Sequence, residues 1–254
     1  MKAHNVQISP KAHVEATEIG EGTRIGPFAV VEAGAQLGRN VVIHPYAFVG
    51  AGVVLEDDVE VWHGAVIGKP PKGAGATARA VVYEQRISVG SGTSVGPHAV
   101  IFYDVMIGRN TLIGDGASIR EQCRVGDQCI VSRYVTVNYN TTIGHRVKIM
   151  DLTHITGNAV IENDVFISTM VGTMNDNKMS LRSYRPGEII GPHVQEGASI
   201  GGGAMLLPNV KIGRQATVAA GAVVTKVVPD GALVFGMPAK VRERRPAEEP
   251  QRES

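Results

Sequence analysis

The sequence predicts an all-β chain wound as a coil of short strands, and three regularities carry that expectation. Stepping by six from Ile19 reaches Ile25, Val31, Leu37, Ile43, Val49, Leu55, Val61 and Ile67, aliphatic at every stop. A second run goes from Val89 to Ile167 and a third from Val194 to Val224, so the runs hold 8, 13 and 5 hexads, 26 in all. Four residues after each stop stands Ala, Val, Thr or Cys in all 26 hexads. Three residues after the stop stands Gly, Asn or Asp in 17 of the 26, the residues that best tolerate positive φ.

Each regularity has a structural meaning. An amphipathic helix would repeat every 3.6 residues and a long strand every two, so a period of six fits neither. A large inward residue, a corner and a small inward residue describe a short strand that turns and starts again. Stacked turns of such a coil hydrogen-bond along its length. Cys123 and Cys129 both fall in the small inward set and read as buried hydrophobes rather than as a zinc or disulfide pattern.

Composition narrows the function. Lys and Arg number 25 against 24 Asp and Glu, so the chain lacks the charge excess expected of a nucleic-acid or acidic-membrane partner. Aromatic residues make up only 5%, against 31 glycines, which suits a solenoid better than a conventional globular core. The first ten residues, MKAHNVQISP, lack the apolar stretch of a signal peptide, and no 18-residue apolar run suggests a membrane helix. The expected location is cytoplasmic.

The repeat breaks twice. The first break spans 68–88 (GKPPKGAGATARAVVYEQRIS) and carries Lys69, Lys72, Arg79 and Arg86. The second spans 172–189, where Asn175, Asp176 and Asn177 precede Lys178, Arg182 and Arg185. Residues 1–242 are expected to form one domain with these two loops and a short C-terminal extension, and 243–254 (RERRPAEEPQRES from Arg242 onward) an unstructured polar tail. Long loops without their own repeat are where a solenoid places function.

The pattern [LIV]-G-x-x-[ATVC]-x resembles that of the hexapeptide-repeat acyltransferases. The resemblance implies a left-handed parallel β-helix, three hexads to a triangular coil, about nine coils and a length of about 40 Å. It also implies a homotrimer with acetyl-CoA, or another acyl-CoA, in a groove between neighbouring prisms, and no metal. The first break resembles the loop of the UDP-N-acetylglucosamine acyltransferases of lipid A synthesis. The second resembles the Asn-Asp loop of nucleotide-amino-sugar N-acetyltransferases. The ending VVTKVVPDGALVFGMPAKV resembles the closing coils of acetyl-CoA-dependent members, with Lys226-Val227-Val228-Pro229 where Lys-Asp-Val-Pro is usual.

The resemblance also suggests site residues. Small residues Gly202, Gly203, Ala204 and Ala220 would let the pantetheine arm approach, and Lys226, Lys240 and Arg242 would meet its phosphates. In the lipid A acyltransferases a His-Asp pair supplies the base. The matching segment here is VNYNTTIG, so Tyr139 stands at the His position and Asn140 at the Asp position. That departure fits transfer to an amine, which is nucleophilic without a strong base, better than transfer to a hydroxyl. The candidate groups for holding the amine are His154, Asn175, Asp176 and Tyr139.

The expected acceptor is therefore a nucleotide-linked amino sugar, acylated on nitrogen. The alternatives are O-acylation of a similar sugar with an acyl carrier protein or acyl-CoA as donor, and acetylation of an amino acid. A metal protein like the γ-class carbonic anhydrases and a scaffold without activity complete the set. The metal reading draws on Trp62-His63-Gly64 but lacks the His-x4-His pair, since Met150 follows His145 at that spacing.

Overall fold

A computed structural model describes residues 5–73, 80–178 and 187–242. The described chain is a left-handed parallel β-helix without α-helix, built of 34 short strands in sheets of 13, 11 and 10. Successive strands pass from one sheet to the next, so the three sheets are the three faces of a prism. We call the 13-, 11- and 10-stranded sheets the first, second and third faces. One coil takes 18 residues: Ile113 lies beside Val95 on one side and Val131 on the other, all parallel.

The hexads set this architecture residue by residue. The stops point inward, and Ile43, Ile113, Ile149, Ile155 and Ile200 are among the largest fully buried side chains. The small position fills the remaining axis with Ala29, Ala65, Ala117, Val147 and Ala222. Where that position is Thr or Cys it has a further task. Thr23 donates to the Gly38 carbonyl at 2.9 Å, Thr93 to Gly108 at 2.8 Å and Thr111 to Gly126 at 3.0 Å. The thiols of Cys123 and Cys129 do the same toward Asn138 and Gly144, each at 3.0 Å. Burial pushes the Cys123 thiol up to about 12, so it stays protonated as a donor. Among the described residues no buried side-chain nitrogen or oxygen lacks a hydrogen-bond partner.

The corner position is left-handed throughout. Among the described residues 18 besides glycines have positive φ, and each of them sits three after a stop. They include Phe28, Tyr46, Tyr134, Leu152 and Met170, residues that pay a steric penalty of roughly 1–2 kcal/mol there. The corner is thus imposed by the coil and not by the residue occupying it.

The coil count exceeds the expected nine. Ten coils contribute a strand to each face, an eleventh is closed by a parallel bridge between Val228 and Ile212, and Leu233–Phe235 opens a twelfth. At 4.8 Å per coil the prism is about 50 Å long. The shortfall has identifiable causes. Ile8 and Val14 precede a five-residue step, Thr173 occupies an inward stop with a polar residue, and Val228 follows Val224 after four. Counting aliphatic hexads misses all of these. The ladder also runs further into each break than the period implied. Val66–Lys69, Ile87–Val89 and Gly172–Thr173 are strands. The tail 243–254 lies outside the described residues. Among the described residues no helix is long and apolar enough to cross a membrane.

Candidate active site

Both loops leave the same edge of the prism. The first follows Val66–Lys69 on the second face, and the ladder resumes at Ile87–Val89 on the third. The second follows Gly172–Thr173 on the second face and resumes at His193–Val194 on the third. Five coils, about 24 Å, separate the two departures. Between them lie four uninterrupted corners of this 2–3 edge: Phe102-Tyr103-Asp104, Arg120-Glu121-Gln122, Asn138-Tyr139-Asn140 and Thr156-Gly157-Asn158. A polar column flanked by two loops is the most chemically furnished part of the surface.

Three of the four expected catalytic residues converge there, around Gly157. The Tyr139 ring lies flat against that glycine, so a Cβ added at Gly157 would stand 2.7 Å from Tyr139 Cζ. Asn175 Nδ2 donates to the Gly157 carbonyl at 3.0 Å. His154 lies just before this corner on the second face, with Nδ1 2.7 Å from Thr136 Oγ1. Burial lowers the His154 pKa from its usual 6.5, so the ring is neutral near pH 7. The neighbouring strand places Gly172 beside it, and the Met205 sulfur and methyl fill the space over that glycine, 2.7 and 2.8 Å from where a Cβ would stand. Asp176 does different work: its carboxylate accepts from the Lys178 backbone N–H at 2.6 Å and so shapes the loop. Lys178 in turn pairs with Glu188 at 2.6 Å, tying the loop's two ends.

Asparagines stitch the column together. Asn140 Nδ2 donates to Asn158 Oδ1 at 2.8 Å, and Asn158 Nδ2 donates to the Ile189 carbonyl at 2.8 Å. The returning loop is therefore anchored on the corner it overhangs.

The column holds a pair that no sequence signal marked. Glu121 is fully buried, and Arg120 meets it with Nε and Nη2, both at 3.1 Å. Arg120 also lies 5.6 Å from the Phe102 ring centroid and 5.9 Å from that of Tyr139. Lys69 stands 4.8 Å from the same Phe102 ring. The hexad rule fixes only inward positions, and Arg-Glu in an outward corner reads as ordinary surface charge.

The expected donor-side residues lie elsewhere. Gly202, Gly203 and Ala220 occupy the 1–2 edge, across the second face from Tyr139 and Asn175. Lys226 is exposed on the 2–3 edge of the eleventh coil, and Lys240 and Arg242 are exposed on Lys240–Arg242, an antiparallel strand closing the first face. Arg242 lies over the Phe235 ring at 5.6 Å. Ala204 is corrected: it is the small inward residue of its hexad, fully buried, and lines no groove. Within one chain the small donor-side residues Gly202, Gly203 and Ala220 thus stand on a different edge from Tyr139 and Asn175, whereas Lys226 shares the edge of those two groups.

Four other histidines have neighbours of their own. His193 pairs with Glu162 at 2.6 Å. Burial pushes the Glu162 carboxyl up, but that hydrogen bond and the Glu196 backbone N–H outweigh it and hold the pKa below its usual value. His145 Nδ1 accepts from the Asp127 backbone N–H at 3.0 Å. His63 meets His98 edge-on, with centroids 5.5 Å apart. Among the described residues no group of three His, Cys, Asp or Glu is gathered as a metal would require.

Comparison with known proteins agrees with this architecture. The family profile "Bacterial transferase hexapeptide (six repeats)" matches residues 34–69, 104–138 and 191–226. The chain carries hexapeptide repeats over those segments. It is 30% identical over 203 residues to a bifunctional protein GlmU of Synechococcus sp. (strain RCC307), covering 80% of this chain and 39% of that protein. It is 33% identical over 124 residues to serine acetyltransferase of Escherichia coli (strain K12), covering 46% of this chain and 43% of the relative. The chain thus spans about two fifths of the length of these relatives. Among solved structures it resembles the UDP-N-acetylglucosamine O-acyltransferase (LpxA) of Moraxella catarrhalis RH4. That match has a TM-score of 0.53 and 16% identity, over 92% of this chain and 73% of the other, and supports the fold alone.

Proposed function

We propose that the protein is an acyltransferase that moves an acyl group, acetyl in the first instance, from acyl-CoA to the amine of a nucleotide-linked amino sugar. The observation that carries this reading is the Gly157 corner. A neutral, half-buried His154 and the polar groups of Tyr139 and Asn175 gather there, where the lipid A acyltransferases have a His-Asp pair. The named activity of one relative, serine acetylation, favours acyl transfer as the reaction class.

The chemistry follows from the groups present. A neutral amine attacks the thioester carbonyl, the C–N bond forms and the C–S bond breaks, and the amine proton leaves. Tyr139 and Asn175 orient the amine by hydrogen bonding. His154, uncharged near pH 7, can take the proton from the nitrogen of the tetrahedral intermediate and return it to the departing sulfur, so that CoA leaves as the thiol and the imidazole is neutral again.

The cleft we infer lies between copies of the chain in a trimer. Phe28, Tyr46, Tyr134, Leu152 and Met170 all lie on the 1–2 edge, between 47% and 65% exposed. Bulky apolar side chains in left-handed corners, open to water, are costly on an isolated prism and useful against another protein surface. The 1–2 edge of one copy, with Gly202, Gly203 and Ala220, would then face the 2–3 edge of its neighbour.

Mass spectrometry of UDP- and dTDP-linked amino sugars after incubation with acetyl-CoA tests the reading. The expected result is one added acetyl group on nitrogen. Acetylation confined to hydroxyl acceptors, or to serine, would transfer the assignment to those alternatives.

A further inference from the structure

We propose that Arg120 is a preformed receptor for an oxyanion, phosphate or carboxylate, carried by the acceptor, with Lys69 as its second cation. The inference rests on the reading of the 2–3 edge as the acceptor side, and it adds which group there grips the acceptor's charge.

The geometry begins with Glu121. A fully buried carboxylate needs compensation, and Arg120 supplies it through Nε and Nη2 in a two-pronged contact. That clamp consumes one side of the guanidinium fork. Nη1 has no hydrogen-bond partner among the described residues. The rings of Phe102 and Tyr139, in the corners before and after, hold the guanidinium from two sides at 5.6 and 5.9 Å. The side chain is therefore fixed by an acid and two rings before any ligand arrives, and its remaining donors point away from the clamp.

A guanidinium used only to neutralise Glu121 would need neither the rings nor a corner at the surface. Lys69 adds to the argument. It is exposed, carries no ion pair among the described residues and lies over the same Phe102 ring at 4.8 Å. Arg120 answers Glu121 and Arg124 answers Asp104 of the same column, so Lys69 is a cation added beyond these two pairs. Two cations straddling one ring, one of them rigid, suit a group with several anionic oxygens. The diphosphate of a nucleotide sugar and the carboxylate of a sugar acid both offer that chemistry. Tyr139, which touches both Arg120 and Gly157, places the receptor next to the corner where the amine would be held.

The test is calorimetric titration of inorganic pyrophosphate, UDP and glucuronate, without acyl donor, into the wild-type protein and three variants. Arg120→Lys keeps the charge but cannot be clamped on two prongs. Glu121→Gln weakens the clamp. Arg120→Gln with Glu121→Gln removes both charges together, so no buried carboxylate is left unpaired. The expected result is binding of at least one probe by wild type, weakened by salt, and a loss of about ten-fold or more in the double variant. Arg120→Lys and Glu121→Gln should fall between. Preference for pyrophosphate and UDP would identify a phosphate site, and preference for glucuronate a sugar acid. Binding of no probe by wild type, or equal binding by wild type and folded Arg120→Lys, would overturn the proposal. Because the titration needs no acyl donor, it is read independently of the reaction: probe binding here, with no acyl transfer in the separate acetyl-CoA assay, would sink the proposed reaction and leave the receptor standing. Acyl transfer with an unchanged acceptor KM in Arg120→Lys would do the reverse.

Discussion

Two edges of one prism share a backbone and differ in everything outside it. On the 1–2 edge the left-handed corners carry Phe28, Tyr46, Tyr134, Leu152 and Met170, large, apolar and open to water. On the 2–3 edge the same corner position carries Asp104, Gln122, Asn140 and Asn158; Arg124 bonds Asp104, and Asn140 bonds Asn158, which in turn holds the returning loop. Both long loops leave this second edge. The inward residues behind the two edges come from the same set, aliphatics with an occasional Thr or Cys, so the core does not explain the contrast. A solenoid spends its interior on a single repetitive task, and its corners are free to specialise column by column. We read the apolar column as the side that meets another copy and the polar column as the side that reacts.

The comparison can be broken first at the lattice both edges depend on. Replacing Ile113 by Asp buries a carboxylate with no partner at the axis, a cost of several kcal/mol. The expected outcome is loss of soluble folded protein, checked by circular dichroism and expression yield. A stable variant would show that the inward register is wrong and that neither edge is correctly assigned.

The next largest effect is expected on the apolar edge. Tyr134→Ser with Leu152→Ser and Met170→Ser should shift the sedimenting species from trimer toward monomer while the circular dichroism spectrum is kept. A trimer indifferent to all three changes would mean that the ridge faces something else.

On the polar edge, Asn175→Ala with Asp176→Ala should lower turnover about ten-fold or more without changing the sedimentation coefficient. The basis is loss of the Gly157 contact and of the loop's backbone cap. Unchanged kinetics would remove the loop from the reaction.

The smallest effect sharpens the role of His154. Burial depresses its folded pKa, so the unfolded chain takes up a proton more readily than the folded one. Its contribution is therefore neutral above the usual value of 6.5. It becomes increasingly destabilising as pH falls from there toward the folded pKa. His154→Gln should flatten that part of the stability-pH curve in urea titrations at pH 5 to 7. An unaltered curve would assign the dependence to other groups.

Much of the fold was legible because it is written in inward positions that repeat. Ile113, Val131 and their kin announce a coil, and the Gly, Asn and Asp at corners announce its turns. What escaped was whatever broke the period without breaking the structure. Thr173 holds an inward stop through hydrogen bonds to the Thr156 N–H and the His154 carbonyl, a role an aliphatic count cannot see. The site was half legible. Tyr139, His154 and Asn175 could be picked out by residue type and place, and the fold brings them to one corner. Arg120 and Glu121 could not, because the rings that flank Arg120, Phe102 and Tyr139, come from the coils on either side. Nor could a linear reading reveal that Ala220 and Asn175 lie on different edges, which only the three-sided winding decides.

That separation yields the most direct test of the account, a mixing experiment. One chain would carry Asn175→Ala with Asp176→Ala, spoiling the acceptor side. The other would carry Ala220→Trp, filling the donor side at an exposed corner. Each alone should be nearly inactive in a thiol-release assay with acetyl-CoA and an amino sugar nucleotide. If one chain's 2–3 edge and its neighbour's 1–2 edge make each site, trimers assembled from both chains will contain some intact clefts and regain activity. If the mixture stays as inactive as its parents while mixed trimers are present, donor and acceptor sides belong to the same chain and the two-edge account is wrong.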